Sequence, residues 1–115
     1  MRDYKKYQVW ELGHEVTLEV YKLTKDFPKT EIYGLVSQMR RASSSIPANI
    51  AEGCGRESDS EFKRFLTIAR GSASELEYLT ILAKDLGYTK EIEFKKINDI
   101  VDKVRRSLNN LMNKI

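Results

Sequence analysis

The final stretch of the chain restricts the fold most. Phe94, Ile97, Val101, Val104, Leu108, Leu111 and Ile115 recur at alternating intervals of three and four. Such a seam is buried when a helix lies against other helices. Thr89 stands where an N-cap belongs, and Glu91 and Glu93 suit the positive end of the helix that follows.

Three further stripes obey the same period. In helix three the inward set is Phe62, Phe65, Ala69, Ser72, Leu76, Leu79, Ala83 and Leu86. Ser58 and Glu61 form a capping box at its start and Gly87 stops it. About 29 residues at about 1.5 Å each give a rod of about 43 Å. Helix one is expected from about Val9 to Asp26, with Val9, Leu12, Val16, Val20, Leu23 and Phe27 inward and Pro28 ending it. A second row on it, Trp10, His14, Thr17 or Leu18, and Tyr21, leaves apolar surface to spare, which favours association. Helix two is expected from near Thr30, with Ile32, Leu35, Met39, Ala42 and Ile46 inward, and its phase runs on through Asn49 to Gly53. Connections of a few residues place consecutive helices antiparallel. The expected fold is all-α, an up-down-up-down four-helix bundle forming one domain over residues 1–115.

The second helix contains the chain's oddest segment, RRASSSIPANIAEG, residues 40–53. Pro47 lacks an N–H, and its ring crowds the carbonyl of Ser43, at a cost of about 3 kcal/mol in a helix interior. Either the helix breaks near Ser44 or Ser45, or it kinks and continues while serine hydroxyls meet the freed backbone groups. The unbroken phase to Gly53 favours the kink. Ser44, Ala48 and Ala51 on helix two, with Ala69, Gly71, Ser72 and Ala73 on helix three, suit a close crossing. Asn49, at an inward position, needs polar partners. Arg41, Ser45, Asn49, Glu52, Ser72, Glu75 and Glu77 are therefore expected to form a structural polar network that fixes helix register, the alternative being a ligand or partner site.

Reactive constellations are thin. Glu11 and His14 have the Glu-x-x-His spacing of di-iron bundles, but that chemistry uses two such motifs and further glutamates, and the chain has one histidine. Cys54 sits at the end of a helix, where a thiolate is disfavoured, and no base stands at a telling distance. Gly53-Cys54-Gly55 follows a helix and is too short for a dinucleotide fingerprint. The three serines have no paired base. The expectation is a protein without catalytic residues, metal or cofactor. A single cysteine allows no internal disulfide. Neither a signal-peptide apolar region nor a run of the ~20 apolar residues a membrane span needs is visible, so a cytoplasmic location without membrane partners is expected.

The chain's 20 basic and 17 acidic residues give a net charge of +3, mild but unevenly spread. Residues 90–115 hold seven cations against four carboxylates, whereas residues 71–89 hold one against three. Arg40, Arg56, Lys63, Arg64, Arg70, Lys95, Lys96, Lys103, Arg105 and Arg106 are the candidate nucleic-acid contacts, since phosphate contact by Lys and Arg gives affinity without sequence preference. No interleaving of aromatic and basic residues suggests sequence-specific reading. The plainer alternatives are solvated helix faces and a protein-binding adaptor.

RRASSSIPANIAEGCGR followed by EFKRFLTIARGSASELEYLTILAKDLGY resembles the bacterial four helix bundle protein family. Its founding members are encoded within intervening sequences of large-subunit ribosomal RNA genes, and it is also described as ribosomal-protein-like. The most specific elements are residues 45–53, Gly71-Ser72 and Glu75-Leu76-Glu77. The resemblance implies a homopentameric barrel of bundles with no established enzymatic activity. It also implies kinship in fold with the accessory proteins of diversity-generating retroelements, which work with a reverse transcriptase and nucleic acid. The partners it suggests are further copies of the chain, RNA or DNA, and a nucleic-acid-processing protein.

Overall fold

A computed structural model describes residues 2–115. Four helices carry the fold: α1 (Gln8–Thr24), α2 (Ser37–Cys54), α3 (Asp59–Asp85) and α4 (Glu91–Asn113). Each packs on its neighbour in sequence, and α4 closes back on α1. Cross-helix pairs run in opposite directions along each joint. Ser45 meets Ser72 and Arg41 meets Glu75 between α2 and α3, while Arg105 meets Glu77 and Arg70 meets Asn109 between α3 and α4. The bundle is thus antiparallel and measures 43 × 24 × 19 Å.

The core is the set the period selects. Val16, Val20, Met39, Ala42, Ile46, Leu76, Val101, Val104 and Leu108 are fully buried. Two expected inward apolar residues are exposed instead. Ile32 is 49% exposed, because Gly34 (φ −109°, ψ −110°) breaks the helical path and α2 starts only at Ser37. The stretch before it is a short turn at Lys29–Glu31 followed by a wide turn at Ile32–Val36. Leu86 is 50% exposed, because α3 already ends at Asp85. There Tyr88 N–H donates to Ala83 O and Gly87 N–H to Lys84 O, both at 2.9 Å, with Gly87 at φ +82°. This is a Schellman stop, which glycine enters at little steric cost.

Caps also shift slightly. Lys90 rather than Thr89 occupies the N-cap of α4. The Glu93 carboxylate accepts from Lys90 N–H at 2.9 Å and from the Thr89 hydroxyl at 3.2 Å. At α3, Ser58 Oγ accepts from Glu61 N–H at 3.1 Å, while the Glu61 carboxylate turns to Arg64, so half of the expected capping box forms.

Pro47 lies inside an unbroken α2. The Ser43 carbonyl that proline deprives of an intrahelical donor is met from α1. Thr17 Oγ1 lies 3.0 Å from Ser43 O and 2.7 Å from Gly13 O, so one hydroxyl proton serves two carbonyls. The expected serine hydroxyls act elsewhere, Ser43 on Arg40 O and Ser44 on Arg41 O. Gly13 makes room for this joint. A Cβ there would stand 3.0 Å from Ile46 Cγ2 and 3.3 Å from Pro47 Cδ.

Candidate nucleic-acid interface

The polar residues of α2 and α3 resolve into separate contacts rather than one network. Asn49 Nδ2 donates to Ser45 O at 2.8 Å and to Ser45 Oγ at 2.9 Å, and Ser45 Oγ lies 2.9 Å from Ser72 Oγ. Asn49 is therefore satisfied within its own helix turn, not by Arg41, Glu52, Glu75 or Glu77. Arg41 pairs with Glu75 at 2.7 Å across the α2–α3 joint, and Glu52 pairs with Arg56 one turn on. Glu77 accepts from Arg105 at 2.6 and 3.1 Å, and Asp102 joins the same guanidinium. Asn49 lies about two turns from Arg41, too far along the helix to share its partners. Of the small residues expected in the crossing, Ala48 and Gly71 face outward, and nothing lies within 4 Å of a Cβ added at Gly71.

Most expected phosphate contacts are already engaged. Arg56 and Arg64 hold Glu52 and Glu61, and both stack over the Phe65 ring. Arg70 donates to Asn109, Lys96 pairs with Glu19, Arg105 with Glu77, and Arg106 reaches Asp102 O. Lys63, Lys95 and Lys103 are exposed and have no ion pair among the described residues. The carboxylate pairs of Arg56, Arg64, Lys96 and Arg105 contribute little stability, but each lowers the local positive potential a polyanion would meet.

Arg40, like Arg70 and Arg106, makes no ion pair among the described residues, and it leads to a site. Its Nε donates to Thr24 Oγ1 at 2.9 Å and a terminal nitrogen to Tyr21 O at 3.3 Å, while the guanidinium stacks 4.6 Å from the Tyr21 ring centroid. Those acceptors are neutral, so the charge stays uncompensated. Arg40 lines an open groove of about 840 Å³ between the end of α1, the α1–α2 connection and the start of α2. Lys25, Lys29 and Arg41 line it too, with Tyr21 and Tyr33, and no Asp or Glu does. The cleft between α1 and α4 differs, since Glu19, Asp26 and Glu93 sit there with Lys22 and Lys96.

The sequence reading did not single out Lys25, Lys29 or Tyr33, which line this groove. Tyr21, Lys25, Lys29 and Tyr33 alternate as aromatic, basic, basic, aromatic at intervals of four. That spacing was the available signal. Its meaning depends on the Gly34 break, which turns Ile32 and Tyr33 away from the core and leaves Tyr33 97% exposed.

Cys54 is buried at the end of α2, and burial pushes its thiol above the ordinary range, with Arg2 opposing weakly. His14 is exposed and stacks flat on Trp10 at 5.3 Å. Among the described residues, no helix is long and apolar enough to cross a membrane.

These features define a small all-α bundle whose most distinctive surface is a cationic groove free of acidic side chains. The chain belongs to the 23S rRNA-intervening sequence protein family, whose model matches residues 5–110. Among solved structures it is similar to a protein of unknown function from the S23 ribosomal protein family of Bacteroides thetaiotaomicron. The two share 24% identity and a TM-score of 0.81 over 90% of this chain and 97% of that one, a likeness of fold. Among curated proteins there is no match.

Proposed function

We propose that this protein is a non-catalytic, self-associating bundle that serves as a nucleic-acid-associated accessory or scaffold in the setting its family description names. The observation that carries this reading is the groove in which, among the described residues, Lys25, Lys29 and Arg40 have no carboxylate partner and no acidic residue lines the wall. Three uncompensated cations on one surface form a phosphate-binding patch of modest strength. Repetition around a symmetric oligomer multiplies it.

Self-association, which the family resemblance implies as a pentameric ring, is supported as association by exposed apolar surface. Ile68 and Tyr78 on α3 are exposed on either side of the open Gly71, and Ala48 on α2 is exposed too. Leu18 and Tyr21 add exposed apolar area on α1. The same α3 residues favour a second reading, a protein-binding adaptor that never touches nucleic acid. A cytoplasmic location suits either role.

Fluorescence-anisotropy titration with generic RNA and DNA, on protein of established native mass, separates the two. Binding that weakens steeply between about 50 and 200 mM salt supports nucleic-acid association. No binding at the lower salt rejects it in favour of the adaptor.

A further inference from the structure

We infer that the groove between the end of α1 and the start of α2 takes a single-stranded segment of nucleic acid, with a base stacked on Tyr33 and neighbouring phosphates on Lys25, Lys29 and Arg40. This rests on the reading of the protein as nucleic-acid-associated and names the form of its partner.

Three observations converge on the site. The first is the charge, since the lining holds four cationic side chains and no carboxylate in a chain with 17 acidic residues. Only Arg41 among the four is neutralised, by Glu75. The second is the aromatic display. Tyr33 stands 97% exposed and Ile32 beside it about half exposed, an unusual outlay of apolar surface unless something covers it. The third is the anchoring of that display. Glu31, at the head of the wide turn, accepts from Leu35 N–H at 3.3 Å and from the Tyr88 hydroxyl at 2.9 Å. The turn is thereby fixed to the α3–α4 connection, and Tyr33 is offered on a fastened base.

The combination selects among polyanions. A duplex presents phosphates but keeps its base faces stacked inside, so it satisfies the cations and leaves the Tyr33 ring in water. An acidic peptide likewise answers the charge alone. A single strand offers phosphates and open π-faces together, and stacking on an aromatic side chain tolerates any base.

The test uses the full chain, labelled single-stranded RNA and DNA oligomers, and a duplex of equal length, all at low salt. The expected result is a single strand bound about tenfold or more tightly than the duplex. Tyr33→Ala should lose about tenfold on the single strand and nothing on the duplex, while Tyr33→Phe, which keeps the ring, retains binding. Because Tyr33 is almost fully exposed, neither variant threatens the fold. Equal binding of both forms with Tyr33→Ala unchanged overturns this inference and leaves nucleic-acid association standing. Competition by poly-glutamate as effective as by the oligomer also overturns it. Failure of every oligomer to bind overturns the association itself.

Discussion

The hydroxyl of Thr17 on α1 lies 3.0 Å from the Ser43 carbonyl on α2, the acceptor that Pro47 leaves without its helical donor. One helix thus repairs a defect in another. Thr17→Val keeps the shape and removes the donor, so stability should fall by about 1–3 kcal/mol. In the Pro47→Ala background the restored N–H can serve Ser43, and the same change should cost at least about 0.5 kcal/mol less. Chemical denaturation of the four proteins of this cycle is the measurement, and full additivity would contradict the account.

Gly53 is a packing requirement rather than only a helix stop. A Cβ there would lie 2.9 Å from Phe65 Cβ and 3.2 Å from Phe62 Cδ1. Overpacking of this kind costs about 1–3 kcal/mol, which outweighs the gain of up to about 1 kcal/mol from replacing glycine in a helix. Gly53→Ala should therefore lower the denaturation midpoint. An unchanged or higher midpoint would show that α2 and α3 part easily.

Tyr88 should ionise above the ordinary phenol range. Its hydroxyl donates to Glu31, and the phenolate would face that carboxylate, so its pKa is raised by the hydrogen bond first and desolvation second. A raised folded-state value means the contribution is whole below the ordinary phenol range and is lost as pH rises through the folded value. Phenolate absorbance in wild type and Tyr88→Phe should show a phenol that titrates above the ordinary range disappearing in the variant. Loss of an early-titrating one instead would refute the assignment.

The exposed α2–α3 face carries the proposed contacts between copies. Ile68→Glu combined with Tyr78→Glu should leave helicity intact and reduce the native mass measured by light scattering. A mass unchanged by both charges would remove this face from the assembly.

What the sequence made legible follows from where periodicity applies. Seams such as Val101–Val104–Leu108 and Leu76–Leu79–Ala83 need only the helical period, and they are buried as read. Ile32 and Leu86 fit the same period but fall beyond breaks set by Gly34 and the Gly87 stop, so the stripe overran the helix at both. Phase also carried α2 correctly through Pro47, though not the donor that makes this tolerable, because Thr17 is remote in sequence from Ser43. The partners of Asn49 were sought among charges and are instead the backbone and hydroxyl of Ser45, four residues back. Lys63, Lys95 and Lys103 stand out in solvent, but Arg56, Arg64, Arg70 and Arg105 have local partners that a count of charge does not reveal. The groove stayed hidden for a related reason. Half of its lining, including Lys25, Lys29 and Tyr33, belongs to a connection whose shape depends on one glycine and not on a repeating pattern.

The measurement that bears most directly on the central claim compares two charge reversals in the same anisotropy titration across salt concentrations. Lys25→Glu with Lys29→Glu alters the acid-free groove, and Lys95→Glu with Lys103→Glu alters exposed lysines of α4 by the same charge. The account predicts that the groove variant loses most of the affinity for RNA and DNA and shows a shallower salt dependence, with the α4 variant close to wild type. Equal losses in the two variants, or an unaffected groove variant, would contradict it.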